Sequence, residues 1–164
     1  MQLRRLLTKW LTFPAAVAIA FIMASTSAAP AGPAPAPAGI RVVVSGLRND
    51  DGRVGCSLFK GPDGFPRHKD REFRGMWAPI HNRIAVCDFT AVPAGVYGAV
   101  ILHDENRDGK MDFNIFHIPT KGYGFSNDAP ATLSPPSFSA ASFTYGGKGN
   151  LTIPITTVYR ASLR

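Results

Sequence analysis

The sequence predicts an all-β fold, an antiparallel β-sandwich of about seven strands, Ig-like or transthyretin-like, behind an N-terminal signal peptide. First, β-branched and aromatic residues cluster in short runs of strand length. Second, turn residues separate these runs at intervals of about 8–12 residues, the spacing typical of sandwiches. Third, no run carries a convincing helical period.

The N-terminal residues have the pattern of an export signal. Arg4, Arg5 and Lys9 precede an apolar run at residues 11–24, and small residues follow it. We therefore expect a signal peptide over residues 1–29, an Ala/Pro-rich linker over residues 30–39 and a single sandwich domain over residues 40–164. An uncleaved anchor is the alternative. The expected location is periplasmic or secreted, with no stable membrane span after cleavage.

The predicted strands start with two runs that we expect to form a hairpin around the turn at residues 49–52. A second hairpin is expected around His81 and Asn82. The most apolar run, residues 96–103, predicts a central strand, whereas Pro79 and Pro154 indicate edge strands. The full set of predicted strands is residues 40–45, 53–60, 76–80, 83–90, 96–103, 137–145 and 150–159.

Charge and cysteine content limit the partners and the compartment. The net charge is +7, and loss of three basic residues with the signal would leave +4. The basic residues are scattered, so we expect no nucleic-acid partner. Cys56 and Cys87 are an even pair, which favours a disulfide in an exported protein. Two free thiols on different strands are the alternative.

The chemistry of the chain is concentrated in residues 103–112. The spacing matches positions 1, 3, 5 and 9 of a calcium loop, with Gly109 at the turn position 6 and the backbone carbonyl of Lys110 at position 7. The candidate metal ligands are thus Asp104, Asn106, Asp108, Lys110 and Asp112. Ca²⁺ is the one cofactor that this pattern predicts.

The loop is not an EF-hand, because Ile115 stands at position 12 and the flanking residues read as strands. Further ligands would have to come from Asn114, Asn127 or backbone carbonyls. A plain turn is the alternative, since Asp, Asn and Gly favour turns without any metal. In that case Arg107 and Lys110 would neutralise part of the acidic charge.

The segments PAGVYGAVILHDEN, HDENRDGKMD and GYGFSN resemble the bacterial exported family catalogued as domain of unknown function 2141. The resemblance extends over residues 40–159. It implies a small β-sandwich with a signal peptide, and it implies no activity. Two positions depart from the family pattern. The pattern has Gly where this chain has His117, and Glu where this chain has Lys121. If that glutamate helps to hold an ion, Lys121 removes a ligand from this chain.

Three functions compete at this point. The first is a non-catalytic envelope module of unknown role with a calcium-stabilised loop. The second is a module for a glycan or peptide that uses ring faces of Trp77, Tyr123 and Phe125, although core positions are the more common use of such rings. The third and weakest is a hydrolase built on His103, Asp104 and Ser126. A histidine that ends an apolar strand is more often bonded to backbone, which favours the first function. A cell-envelope component or a small ligand would be the partner.

Overall fold

The computed structural model describes residues 38–132 and 134–160 and confirms a β-sandwich. The predicted signal peptide and nearly all of the predicted linker lie outside the described residues. Within the described residues, no helix has the length and apolar character needed to cross a membrane. The strands are β1 (Gly39–Ser45), β2 (Arg53–Phe59), β3 (Arg74–Ala78), β4 (Ile80–His81), β5 (Ile84–Thr90), β6 (Gly95–Asp104), β7 (Gly122–Phe125), β8 (Ser142–Tyr145) and β9 (Asn150–Thr156).

Two sheets share these strands. The four-stranded sheet has the order β4-β5-β1-β9, and the five-stranded sheet has the order β3-β2-β6-β7, with β8 also paired to β6. Strand β6 is central, as its apolar sequence predicted. Strand β9, which contains Pro154, lies at an edge, as predicted, and is parallel to β1. The other strand pairs are antiparallel.

The predicted hairpin of β1 and β2 is wrong. Strand β1 pairs with β5 and β9, whereas β2 pairs with β3 and β6, so residues 49–52 connect the two sheets. Each sheet has one apolar face, and packing the two sheets face to face buries both of these apolar faces. The second hairpin is reduced to β4 and β5, because Pro79 separates β3 in one sheet from β4 in the other.

Two local assignments also differ from the prediction. Residues Gly122–Phe125, expected to be a loop, form β7 on the edge of β6. Two glycines weaken the strand signal there, but a Cβ on Gly124 would lie 2.7 Å from Ile155, so packing requires glycine. Residues Phe138–Ala141 form one helical turn at the start of the expected last-but-one strand, and the side chain of Ser137 caps it.

The main core fills the space between the sheets, and one disulfide crosses it. Cys56 on β2 and Cys87 on β5 are bonded, with their Cα atoms 6.5 Å apart, which confirms the predicted disulfide. A smaller apolar cluster, built on Tyr123, Phe125, Ala129 and Ala141, covers the outer side of β7. All four residues of β7 are buried, so the end of the loop that precedes Gly122 is anchored in the sheet.

Candidate functional site

The register of β6 and β7 brings together two residues that are far apart in sequence. Strand β6 ends at Asp104, β7 begins at Gly122, and His103 lies opposite Gly122. One step further along the antiparallel pair, Lys121 therefore faces Asp104. Both residues are buried, with exposed fractions of 4% for Lys121 and 0% for Asp104. Residues 105–120 form the loop between these two ends.

The loop wraps around the ammonium group of Lys121. Its Nζ atom lies 2.9 Å from Asp104 Oδ1, 2.5 Å from Asp108 Oδ1 and 2.9 Å from the carbonyl oxygen of Lys110. Asp112 Oδ2 lies 3.3 Å away. An ammonium has three protons, so three oxygens accept hydrogen bonds and Asp112 completes the set by charge.

These four residues occupy positions 1, 5, 7 and 9 of the calcium-loop pattern. The oxygens converge as the spacing predicted, and at position 7 it is the carbonyl of Lys110 that turns inward. At their centre is Lys121, which sequence reasoning did not place there. Among residues 38–132 and 134–160, no group of three or more His, Cys, Asp or Glu side chains is arranged to hold a metal ion. Calcium binding by this loop stays a prediction.

The backbone of the loop is shaped by its own acidic and amide side chains. Gly109 has a φ of +76° and donates its N–H to Asp104 Oδ2 at 2.9 Å. Asp108 Oδ1 accepts the N–H of Lys110 at 2.9 Å. Asn106 is bonded to Asp108 rather than to Lys121. The predicted ligand Asn106 therefore supports the loop and does not contact the ammonium.

The two further ligands that the sequence offered are used elsewhere. Asn114 Oδ1 accepts the N–H groups of Phe116 and Ile118, both at 3.0 Å. Asn127 donates to the carbonyl oxygens of Ala140 and Ser142. Both side chains stabilise local backbone, so neither is among the oxygens bonded to Lys121.

The pKa shifts of the cluster reflect burial opposed by ion pairing. Burial acts to raise the pKa of Asp104, but hydrogen bonds from Lys121 and the Gly109 N–H outweigh it, and the net pKa is lowered. The bond from Lys121 also lowers the pKa of Asp108 strongly. Burial acts to lower the pKa of Lys121, whereas the bonds to Asp108 and Asp104 raise it overall. Asp104, Asp108 and Lys121 thus stay charged over a wider pH range than the free side chains would.

A second layer holds the outside of the loop. The guanidinium of Arg53 lies 3.8 Å from the centre of the Trp77 ring, 3.4 Å from Asp104 Oδ2 and 3.1 Å from the carbonyl oxygen of Arg107. Lys69 also lies over the Trp77 ring, and it donates to the carbonyl of Gly109 at 3.3 Å. Arg53 and Lys69 therefore both pack on the Trp77 ring and bind carbonyl oxygens of the loop.

The start of the loop is fixed by the connection between the sheets. Glu105 accepts hydrogen bonds from the side chains of Arg48 and Asn49, with a distance of 2.9 Å to the latter. The bond from Arg48 is the main cause of the lowered pKa of Glu105. Glu105 lies between the candidate ligands Asp104 and Asn106 in the sequence, but its carboxylate is paired with Arg48.

The family of the chain follows from its sequence. Residues 42–153 match the model of the family DUF2141, described as uncharacterised protein conserved in bacteria. The chain belongs to DUF2141. No curated protein and no solved structure matches it. In this DUF2141 chain Lys121 lies at the centre of the loop, and His117 has a φ of +57°, a conformation that glycine adopts most readily.

In this DUF2141 chain the residues of the hydrolase hypothesis do not meet. His103 is fully buried, its Nε2 donates to the carbonyl oxygen of Asp51 at 2.9 Å, and its Nδ1 is bonded to the hydroxyl of Tyr159. Ser126 Oγ is bonded to the backbone of Ala99 and Ala141. Ala99 is four residues from His103 along β6, which corresponds to about 13 Å.

The ring faces of the ligand-binding hypothesis are mostly covered. Tyr123 and Phe125 are buried in the smaller apolar cluster, as the alternative that these rings are core residues expects. Trp77 remains 38% exposed, but Arg53 and Lys69 lie over its ring. Register explains this outcome: Tyr123 pairs with Leu102 and also bridges to Val158, which places it inside the sheet rather than on a loop.

Proposed function

We propose that this chain is a non-catalytic, exported cell-envelope module whose loop at residues 105–120 is locked by Lys121 in the place that the loop pattern gives to calcium. The observation that carries the proposal is the position of Lys121 Nζ, within 2.5–3.3 Å of oxygens from Asp104, Asp108, Lys110 and Asp112. The role of the loop is then structural, and Lys121 keeps it in one conformation.

The charges of the cluster support an internal cation. Asp104, Asp108 and Asp112 carry three negative charges, and Lys121 with Arg53 supplies two positive charges. A calcium ion needs oxygens at about 2.3–2.6 Å, and the ammonium already fills that space. Calcium could enter only after Lys121 had left a site in which it is almost fully buried. The lock therefore makes the fold independent of calcium.

Further observations support the remaining parts of the proposal. A non-catalytic role fits the separation of His103 from Ser126 and the use of both histidine ring nitrogens by Asp51 and Tyr159. Export to the periplasm or beyond fits the disulfide, since such bonds persist in oxidising compartments. The N-terminal pattern of basic, apolar and small residues points the same way. The mass of the protein recovered from a periplasmic extract tests export. We expect a periplasmic protein that lacks residues 1–29. A protein that stays in the cytoplasm and keeps residues 1–29 would contradict export.

Thermal melting in millimolar calcium and in chelator tests the lock. We expect the midpoint of the wild-type protein to be the same in both. The variant Lys121→Gln leaves buried Asp104 without its ammonium, so we expect its unfolding free energy to fall by about 3–5 kcal/mol. Calcium should restore part of that loss, because the vacated oxygens match its preferred ligands.

Lys110→Gln is the matched control, since Lys110 contributes its carbonyl while its side chain is exposed. We expect this change to alter the unfolding free energy by no more than about 0.5 kcal/mol. A wild-type midpoint that rises with calcium would contradict the lock and favour a true calcium site. Equal losses in the two lysine variants would also contradict it.

A further inference from the structure

The loop that Lys121 locks carries an apolar tip at residues 113–118. Phe113 is 57% exposed, Ile115 is 88% exposed and Phe116 is 67% exposed. No core interaction accounts for three large apolar side chains so close together in space and sequence. The three side chains are thus open to solvent.

Several backbone N–H groups of the tip are hydrogen-bonded within it. Residues 112–120 form a narrow hairpin in which Thr120 donates to the carbonyl of Asp112 at 2.9 Å and Asn114 donates to the carbonyl of Ile118 at 3.0 Å. The N–H groups of Phe116 and Ile118 are bonded to the side chain of Asn114, and that of His117 to its carbonyl. These N–H groups would lose little on entering an apolar phase.

Exposed basic side chains accompany the tip on its loop. The acidic side chains of the loop are ion-paired, Asp104, Asp108 and Asp112 with Lys121 and Glu105 with Arg48, although those of Asp108 and Asp112 remain 38% and 44% exposed. Lys69, Arg107 and Lys110 are exposed on the same loop or directly against it. An apolar tip with exposed cations on the same loop or against it matches the interface of an anionic bilayer, where chains are apolar and headgroups are negative.

We propose that residues 113–118 insert into the interface of an anionic lipid membrane, with Lys69, Arg107 and Lys110 against the headgroups. Insertion does not require the lysine lock to replace calcium, so the two proposals stand or fall by different measurements. Residues 113–118, which do not hold Lys121, thus become the interaction surface of the loop.

An environment-sensitive fluorophore attached at the variant Ile115→Cys tests this locally. The native cysteines are bonded to each other and buried, so the new thiol is the reactive one in the described part of the chain. Vesicles rich in phosphatidylglycerol should shift the emission to the blue and raise its intensity. Phosphatidylcholine vesicles, or high salt, should weaken the response because they remove the electrostatic attraction.

Ile84→Cys, labelled in the same way, is the control, because Ile84 is another exposed isoleucine but lies on β5. It should give no shift. Adding Phe116→Asp to Ile115→Cys should weaken vesicle binding about tenfold or more. A local probe reports the tip even if the N-terminal segment is retained. No shift at position 115, or equal shifts at positions 115 and 84, would overturn the proposal, and binding of the tip by another protein would give the first of these results.

Discussion

At the scale of single residues, the site depends on why lysine suits the centre of this loop. An ammonium is a compact charge with three donors on a flexible stem, so it can meet oxygens from several directions. Lys121 does so with two carboxylates and one carbonyl, while Asp112 adds a third carboxylate. Arginine would present a planar fork that cannot replace this geometry. The same group lowers the pKa of Asp108 and opposes the effect of burial on Asp104.

The lowered pKa values predict how the free energy of unfolding depends on pH. A carboxyl whose pKa is lower in the folded state contributes stability above its unfolded pKa of about 4, and this stability is lost as pH falls toward the folded value. Urea unfolding between pH 7 and pH 2 should therefore show a loss below about pH 4. The variant Asp108→Asn should be less stable at pH 7 and should lose less on acidification.

Asp63→Asn provides the comparison, because Asp63 makes an exposed ion pair with Arg71 outside this cluster. It should keep the wild-type dependence on pH, since exposed pairs contribute little to stability. If Asp108→Asn instead kept the full wild-type loss on acidification, its pairing with Lys121 would not be a source of acid sensitivity.

At the scale of elements, the loop is held by a hairpin and by a neighbouring turn. The register of β6 and β7 brings Lys121 to Asp104, and the turn that ends at Gly52 lies directly against the first residues of the loop. The sequence predicted most of the local part of this arrangement, because the spacing of Asp104, Asp108 and Asp112 brings their oxygens together, although Asn106 at the same spacing bonds to Asp108 instead. It could not predict the occupant, because Lys121 arrives through a strand pairing that two glycines obscured.

Gly52→Ala tests the contact between the turn and the loop. Gly52 has a φ of +72°, and a Cβ there would lie 2.1 Å from the carbonyl oxygen of Asp104. Backbone strain and the clash together should lower the unfolding free energy by about 2–5 kcal/mol. Gly149→Ala has a similar φ of +65° with no atom within 4 Å, so strain alone should cost about 1–2 kcal/mol. Equal losses in urea unfolding would mean that the turn does not press on the loop.

At the scale of the whole molecule, the sandwich arises because each sheet can bury its apolar face only against the other. Composition and turn spacing predicted this architecture and the central position of β6, since both depend on local patterns. The pairing of β1 with β2 was wrong because a turn at residues 49–52 serves a hairpin and a crossing between sheets equally well. The disulfide was predictable from the even number of cysteines and the predicted export signal, although its position between the sheets was not.

The sequence separation of the two cysteines predicts a large contribution of the disulfide to stability. Cys56 and Cys87 are separated by 31 residues, so their bond limits the unfolded chain and should contribute about 3–4 kcal/mol. Urea unfolding of the wild-type protein in the presence of reductant should show this loss. A variant with both cysteines changed to alanine should already have lost at least as much, because both side chains are buried, and reductant should not affect it further. If reductant left the wild-type unfolding free energy unchanged while free thiols were detected, packing between the sheets alone would hold the sandwich together.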